Sequence, residues 1–381
     1  MIFANFFKKY IYPISAIAGS IIGVGFFSLP YIAMKSGIWL TLAYFFILII
    51  IVAIIHLIFT EISLKTPDFK RFPGFVGHYL GKRIKLFSFF STIISSYGVL
   101  LAYLIVGSEF LKNIFQPYFG GEYFLYIIIY FLFVNFIVWF GIKTVSKTEF
   151  LILLLLFLSI LFIFIKGFNH INFLNLFINK QINFSNFFLP YGPILFSLWG
   201  VSLIPEAEEM IKQNKKIIKQ NKKIIKKIVL FATIIPAVFY LFFTFLILSI
   251  TGSQTTESAL IGLKQILGEN FMMIVFLAGM FATITAYIAH ALTLKKVFSY
   301  DLKIKDRHAF IFTCFVPLIL FLLGINSFIG IISFLGGILL GIDGILILFM
   351  YKKIGGKKMI IYPLSVIFLL GIIYQIIYFV K

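Results

Sequence analysis

Charge is scarce in this chain: 12% of its 381 residues are Asp, Glu, Lys or Arg, against 61% hydrophobic. The mean hydropathy is +1.08. Soluble domains carry about 25% charged and about 45–50% apolar residues, so a globule of this composition would leave large apolar patches in water and aggregate. No polar stretch is long enough for even one soluble domain. Cysteine is scarcer still. Cys314 is the single thiol, which excludes an intrachain disulfide and a cysteine-rich metal motif. The phosphate-cradling GxxxxGK[ST] loop is missing, and with it transport driven by ATP. The period-two alternation of outer-membrane barrel strands is missing as well. What remains is an all-α polytopic membrane protein of bundle and short loops, with no motif that asks for a cofactor or a metal.

What is present is a succession of apolar runs. At about 20 residues for a crossing of about 30 Å, the chain offers eleven candidate spans: Tyr12–Met34, Ile38–Thr60, Leu86–Leu111, Phe124–Ile142, Phe150–Ile165, Phe187–Met210, Ile228–Thr251, Asn270–Leu294, Ala309–Ile325, Phe328–Tyr351 and Ile360–Val380. The fifth and ninth are short and have room to extend into their flanks. The first follows Lys8 and Lys9; it is too long for a signal-peptide core and lacks a small-residue cleavage site.

The 33 basic residues outnumber 13 acidic ones, for a net charge of +20. Taken alone, that points to nucleic acid or anionic lipid. Placement decides otherwise. With the N-terminus inside, 27 of the 33 fall in inside segments, eight of them lysines between Lys212 and Lys227. This is the positive-inside bias, so the charge reports topology in a cell membrane and no nucleic-acid partner: N-terminus cytoplasmic, C-terminus outside. The loop with eight lysines holds KQNKKII twice in tandem, at Lys212–Ile218 and Lys219–Ile225. It reads either as an amphipathic helix on anionic membrane lipid or as a slipped duplication in a basic loop. Between the seventh and eighth spans, Gly252–Gly268 mixes polar residues with Leu260, Ile261, Leu263, Ile266 and Leu267, a pattern that predicts a short half-buried helix.

Two spans do not read as plain helices. The first contains AGSIIGVGFFSLP at Ala18–Pro30, and the sixth contains PYGPILFSLWGVSLIP at Pro190–Pro205. Glycine costs about 1 kcal/mol and proline about 3 kcal/mol in a helix interior, so Gly19, Gly23 and Gly25 weaken the first span, and Gly200 and Pro205 the sixth. Small residues also let helices approach closely. Unwound backbone in hydrocarbon is tolerated only where it faces protein or a watery cavity. Two breaks five spans apart, in oppositely directed helices, therefore point to a transporter built from inverted repeats with its site at the midplane.

The segments GSIIGVGFFSLP and FSLWGVSLIPEAEEM resemble the glycine-rich first and the sixth helix of the amino acid–polyamine–organocation superfamily. The order of eleven spans is similar to its amino acid/auxin and hydroxy/aromatic amino acid permease branches. The resemblance implies a LeuT-like 5+5 inverted repeat with broken helices one and six plus an eleventh helix: one transporter domain over residues 1–381, with repeats at about 12–168 and 187–351 and the additional helix at about 360–380. It further implies that an α-carboxylate meets the backbone at Ser20, Val24 and Gly25. The α-ammonium meets carbonyls of Ile21, Phe196 and Trp199, while Phe196, Trp199 and Ser202 shape the side-chain pocket. Ser202 departs from relatives that carry an acid there, which weakens a proton relay at that position.

Ionisable residues within apolar runs are functional candidates by default. Asp343, in GGILLGIDGILILF, is the deepest acid; it reads equally as a vestibule carboxylate or as a hydrogen-bonded acid packed among glycines. Glu206, Glu208 and Glu209 close the sixth span as a gate or cap, and Glu109 nears the opposite end of the third. His56 and His290 lie inside the second and eighth spans, where a lone histidine is more often a packing residue than a relay. A sodium site in such a fold draws on hydroxyls of the eighth span, here Thr283 and Thr285 without an adjacent Thr-Ser pair. A hard cation wants several oxygens, so protons are favoured over sodium. Lys166 sits too near the end of the fifth span to replace sodium. With no acid beside Phe196 and Trp199, the expected substrate is a neutral, large apolar or aromatic amino acid moved by alternating access. A transporter-like sensor is one alternative. A membrane-embedded lipid or glycan transferase is another, for which only His78 with Asp68 offer themselves.

Overall fold

The computed structural model describes residues 10–67, 70–141, 146–178, 186–205, 208 and 222–380, with the backbone alone for 20, 146–150, 300 and 301. All regular structure among them is helical. Among the described residues, seven helices are long and apolar enough to cross a membrane: Ile38–Lys65, Lys82–Phe119, Leu151–His170, Lys222–Gln254, Glu269–Ser299, Phe328–Lys353 and Lys358–Val380. Tyr123–Trp139 and Asp306–Leu322 are shorter apolar helices. The first and sixth runs are each divided, into Tyr12–Ile21 with Leu29–Ser36 and into Tyr191–Leu198 with Val201–Leu203. These pieces follow the eleven apolar runs in order.

Local chemistry sets the ends. Gly37, at φ 88°, is the one residue between Leu29–Ser36 and Ile38–Lys65; a turn that abrupt needs the left-handed conformation that glycine adopts without steric cost. The third span is longer than its apolar run, a 38-residue helix over Lys82–Phe119. At 1.5 Å per residue it reaches about 57 Å, well past the hydrocarbon. The fifth extends on both sides of its run, to Ser146–Gly167. The seventh begins at Lys222, inside the second KQNKKII copy, rather than at Ile228. Those described residues are therefore the entry turn of a span, not a separate surface helix; the first copy lies outside the described residues. Ile261–Leu267 forms the expected short helix, with Leu263 and Leu267 buried.

The half-helices of the first and sixth spans pack on one another. The second and seventh spans pack around both, with the fifth against Tyr12–Ile21 and the tenth against Tyr191–Leu198. The third and eighth lie side by side, brought close where Gly279 faces Phe110, while Gly107 of the third admits the Tyr130 ring of the fourth. The tenth span carries a π-helical turn, Leu335–Leu339, in which Gly336 presses on the Gly192 carbonyl of the sixth. Outward positions are apolar: Phe136 is 65% and Leu370 59% exposed. Water would not tolerate that belt, whereas acyl chains do.

Candidate functional site

In the first span the regular helix ends at Ile21. Ile22, at φ −76° and ψ 70°, makes an inverse γ-turn in which the Gly23 N–H donates to the Ile21 carbonyl at 2.7 Å. A 3₁₀ turn over Gly25–Ser28 follows before the helix resumes at Leu29. In the sixth span Trp199 is extended (φ −80°, ψ 122°), and Val201–Leu203 is again 3₁₀. The breaks thus fall at 22–24 and 199–200. Gly23 and Gly200 lie in them. Gly19 stays inside regular helix, where a Cβ would sit 3.5 Å from Leu153, and Pro205 lies past the 3₁₀ turn.

The breaks touch. A Cβ on Gly25 would fall 2.6 Å from Ser197 Oγ and 2.7 Å from Phe196 Cδ1; one on Gly200 would fall 2.5 Å from Ile21 Cγ1. Side chains from other spans engage the loosened backbone. The buried His56 ring of the second span accepts the Gly200 N–H at its Nε2, 3.1 Å away. That bond puts the ring proton on Nδ1, which donates to Thr233 Oγ1 at 2.8 Å. Thr233 in turn donates to the Val229 carbonyl at 2.9 Å. Tyr240, wholly buried on the seventh span, directs its hydroxyl to the carbonyls of Ile21 (2.7 Å) and Ser197 (3.1 Å). Its ring stacks on Phe26 with centroids 5.6 Å apart. The Tyr103 hydroxyl of the third span meets the backbone of Val24, and its ring lies 5.7 Å from that of His290.

Of the expected substrate residues, Ile21, Val24, Gly25, Phe196 and Trp199 come together here, with the backbone of Ser20 two residues before the break. The Ile21 carbonyl already receives two donors, Gly23 N–H and the Tyr240 hydroxyl. Phe196 and Trp199 are half-buried, and Ser202, one turn on, is exposed. Asp343 lies in the tenth span beyond the π-helical turn; its Oδ1 is sealed from solvent and has no hydrogen-bond partner among the described residues. Glu206 and Glu209 fall outside the described residues, while the buried Glu208 accepts from Ser63 Oγ at 2.9 Å. Glu109 lies beside Ser258, with Lys112 and Glu257 acting on its charge. Thr283 is buried and donates to the Met280 carbonyl. Thr285 turns to the carbonyls of Phe281 and Ala282, and His290 Nδ1–H donates to the Ala286 carbonyl.

Sequence reading passed over Tyr240 and Thr233 and left His56 as a packing residue. A histidine, a threonine and a tyrosine alone in apolar runs were the available signal, but nothing local says which backbone group each one meets.

Residues 8–353 match the tryptophan/tyrosine permease family. Among solved structures, the chain is similar to a manganese transporter of Eremococcus coleocola in complex with an aromatic bis-isothiourea substituted compound: TM-score 0.67 and 12% identity, over 99% of this chain and 86% of that one. It is similar to Mhp1, a nucleobase-cation-symport-1 family transporter in a closed conformation with bromovinylhydantoin bound: TM-score 0.64 and 14% identity, over 88% and 76%. For MhsT in complex with L-phenylalanine the TM-score is 0.55 and the identity 14%, over 97% and 98%. At these identities the likeness is one of fold, all-α and LeuT-like. No curated protein matches by sequence.

Proposed function

The chain belongs to the tryptophan/tyrosine permease family, transporters of amino acids or related substrates and not enzymes, and from that premise we propose that it carries neutral amino acids with aromatic or large apolar side chains, together with a proton, by alternating access. The carrying observation is the contact between the segments around the two breaks, Gly25 against Ser197 and Phe196, and Gly200 against Ile21. Helix ends that lack continuing partners present N–H groups to an anion and carbonyls to a cation. A zwitterion offers both within a few ångströms. The carboxylate is assigned to the backbone at Ser20, Val24 and Gly25. The ammonium is assigned to the Phe196 and Trp199 carbonyls, and to Ile21 only once Tyr240 withdraws. Half-buried Phe196 and Trp199 form an apolar wall suited to a ring, and MhsT, which shares the fold, is itself bound to L-phenylalanine.

Protons are preferred to sodium on the eighth span's geometry. Thr283 and Thr285 are two residues apart, about 200° around the helix, and each donates to a carbonyl of its own helix. They do not converge on one cation. Asp343 and Glu109 are the proposed gating carboxylates on either side of the site. The two repeats are assigned to about 12–168 and 187–351, with the lysine-rich face cytoplasmic and against anionic lipid. Proteoliposome counterflow of labelled tryptophan, tyrosine and phenylalanine, beside a thermal-shift panel of the twenty amino acids with and without sodium, tests this. Ligand-dependent stabilisation and exchange confined to large apolar amino acids are expected. A flat panel overturns the substrate assignment, and binding without counterflow overturns transport.

A further inference from the structure

We propose that His56 is a proton-sensitive latch on the sixth-span break: one lone pair, on Nε2, holds either the Gly200 N–H or a proton, and never both. Its placement makes the competition unavoidable. The Gly200 amide sits where the helix has come undone, and it donates to His56 Nε2 across 144 residues of sequence at 3.1 Å. The other ring nitrogen is committed to Thr233, whose hydroxyl proton is in turn committed to Val229. The tautomer with its proton on Nε2 is disfavoured at both ends: that proton would face the Gly200 N–H, and Thr233 would have to donate to both Nδ1 and Val229 with one proton. When a proton arrives at Nε2, the Gly200 N–H···N bond breaks, the Nδ1–H···Oγ1 bond stays, and two N–H groups face each other. The unwound segment at Trp199–Gly200 must move away, and the new Nε2–H is left to donate to the carbonyls it uncovers.

The surroundings give the protonated ring no other rest. On its own span, Thr60 bonds the His56 carbonyl and not the ring. The seventh span presents Thr233 and, two turns further on, Tyr240, which is engaged with Ile21 and Ser197. The sixth presents Trp199, with ring centroids 6.2 Å apart at 68°, and the first presents the apolar side chain of Ile21. Lys35 on the second half of the first span and Asp343 on the tenth belong to elements packed against the second span, yet no charged group among the described residues acts on the ring. Nor can the segment yield locally, since Gly200 is wedged against Ile21. Movement of the sixth-span break is therefore passed to the first. A proton thus shifts the pair of breaks that the substrate also holds, which is coupling through a shared two-state element. This deepens the proton-coupled reading above and rests on it for its role in transport, but not for the latch itself.

The chain has three tryptophans, and Trp39 and Trp139 are 71% and 51% exposed on the outer surface. Trp39→Phe with Trp139→Phe leaves Trp199 as the sole indole, against His56. In nanodiscs, its emission followed from about pH 8 to about pH 5 reports a nearby imidazolium, which quenches and attracts indole. An acid-induced change that is abolished by His56→Gln is expected, because Gln keeps an acceptor for Gly200 but takes no proton. The same change in H56Q overturns the latch. In proteoliposomes of the otherwise native chain, H56Q is expected to lower pH-gradient-driven uptake at least about tenfold relative to counterflow and to flatten its pH profile. An unaltered ratio and profile overturns the coupling role. If the parent shows no counterflow at all, the transport reading fails and the fluorescence arm alone decides the latch. Should H56Q not fold, Thr233→Val serves: it keeps the ring and removes its Nδ1 partner, so the Trp199 transition is retained with a displaced midpoint. An undisplaced midpoint overturns the proposal.

Discussion

Three glycines of the broken spans look alike in sequence and differ in what surrounds them. A Cβ on Gly25 meets Ser197 and Phe196 at 2.6 and 2.7 Å, one on Gly200 meets Ile21 at 2.5 Å, and one on Gly19 meets Leu153 at an ordinary 3.5 Å. Gly25→Ala and Gly200→Ala are therefore expected to force the breaks apart, at an overpacking cost of about 1–3 kcal/mol, and to abolish amino-acid-dependent thermal stabilisation. Gly19→Ala removes a helix-weakening residue worth about 1 kcal/mol and should leave both melting temperature and ligand shift at least as large as in the parent. If Gly19→Ala were as damaging as Gly25→Ala, the position of the first break would be wrong. Tyr240 supplies a second contrast. Tyr240→Phe strips a donor from the Ile21 and Ser197 carbonyls, and a buried group left short of a partner costs about 1–3 kcal/mol. The unliganded variant should melt lower, while the stabilisation conferred by substrate should grow, because the ammonium no longer competes with a hydroxyl for Ile21. A ligand shift that does not grow would remove Ile21 from the ammonium's partners.

Among the described residues, close approaches at glycines join the central elements, and the ion pairs lie at the helix ends. The π-helical turn Leu335–Leu339 brings Gly336 against the carbonyl of Gly192, so the tenth span props the intact half of the sixth. The obstacle there is backbone, which no rotamer change relieves. Gly336→Ala is accordingly expected to cost more than Gly25→Ala, whose neighbours are side chains, read as a lower melting temperature and a lower yield of folded protein; equal cost would place the support elsewhere. Where Lys222 enters the seventh span, Glu61 pairs with Lys226 at 3.3 Å and with Lys65 at 3.2 Å. Partly exposed pairs of this kind contribute about 0–1 kcal/mol. Deleting Lys212–Ile218, one copy of the tandem repeat, should leave melting temperature unchanged and counterflow within about twofold of the parent, since the remaining copy still supplies the span's entry and the pairing Lys226 follows it untouched. A large loss would assign the duplication a role of its own.

For the whole molecule, the distribution of lysine states the topology in a testable form. Cys314 is fully buried, so it should stay silent toward a membrane-impermeant maleimide in intact cells. Cysteines placed at Lys357 and at Gln254, on opposite faces of the bundle, should report opposite sides: Gln254→Cys labelled from outside, Lys357→Cys only after permeabilisation. The reverse pattern would invert the orientation read from the basic residues.

Sequence alone determined the helical class, the order of the spans and the neighbourhood of the two breaks, because each follows from short-range physics. An apolar run of some twenty residues has to be a helix in hydrocarbon, and glycine or proline weakens that helix where it stands. Even so, the break in the first span fell at 22–24 and left Gly19 in regular helix, since several glycines in a row do not say which of them gives way. The tertiary structure decided who would satisfy the backbone so released. His56 reaches Gly200 over 144 residues, Tyr240 reaches Ile21 over 219, and Thr233 reaches His56 over 177. A lone polar side chain in an apolar run carries a demand for a partner but no address for it. The address is set only when distant helices pack, and here that packing turned what read as a core histidine into the group holding the broken helix.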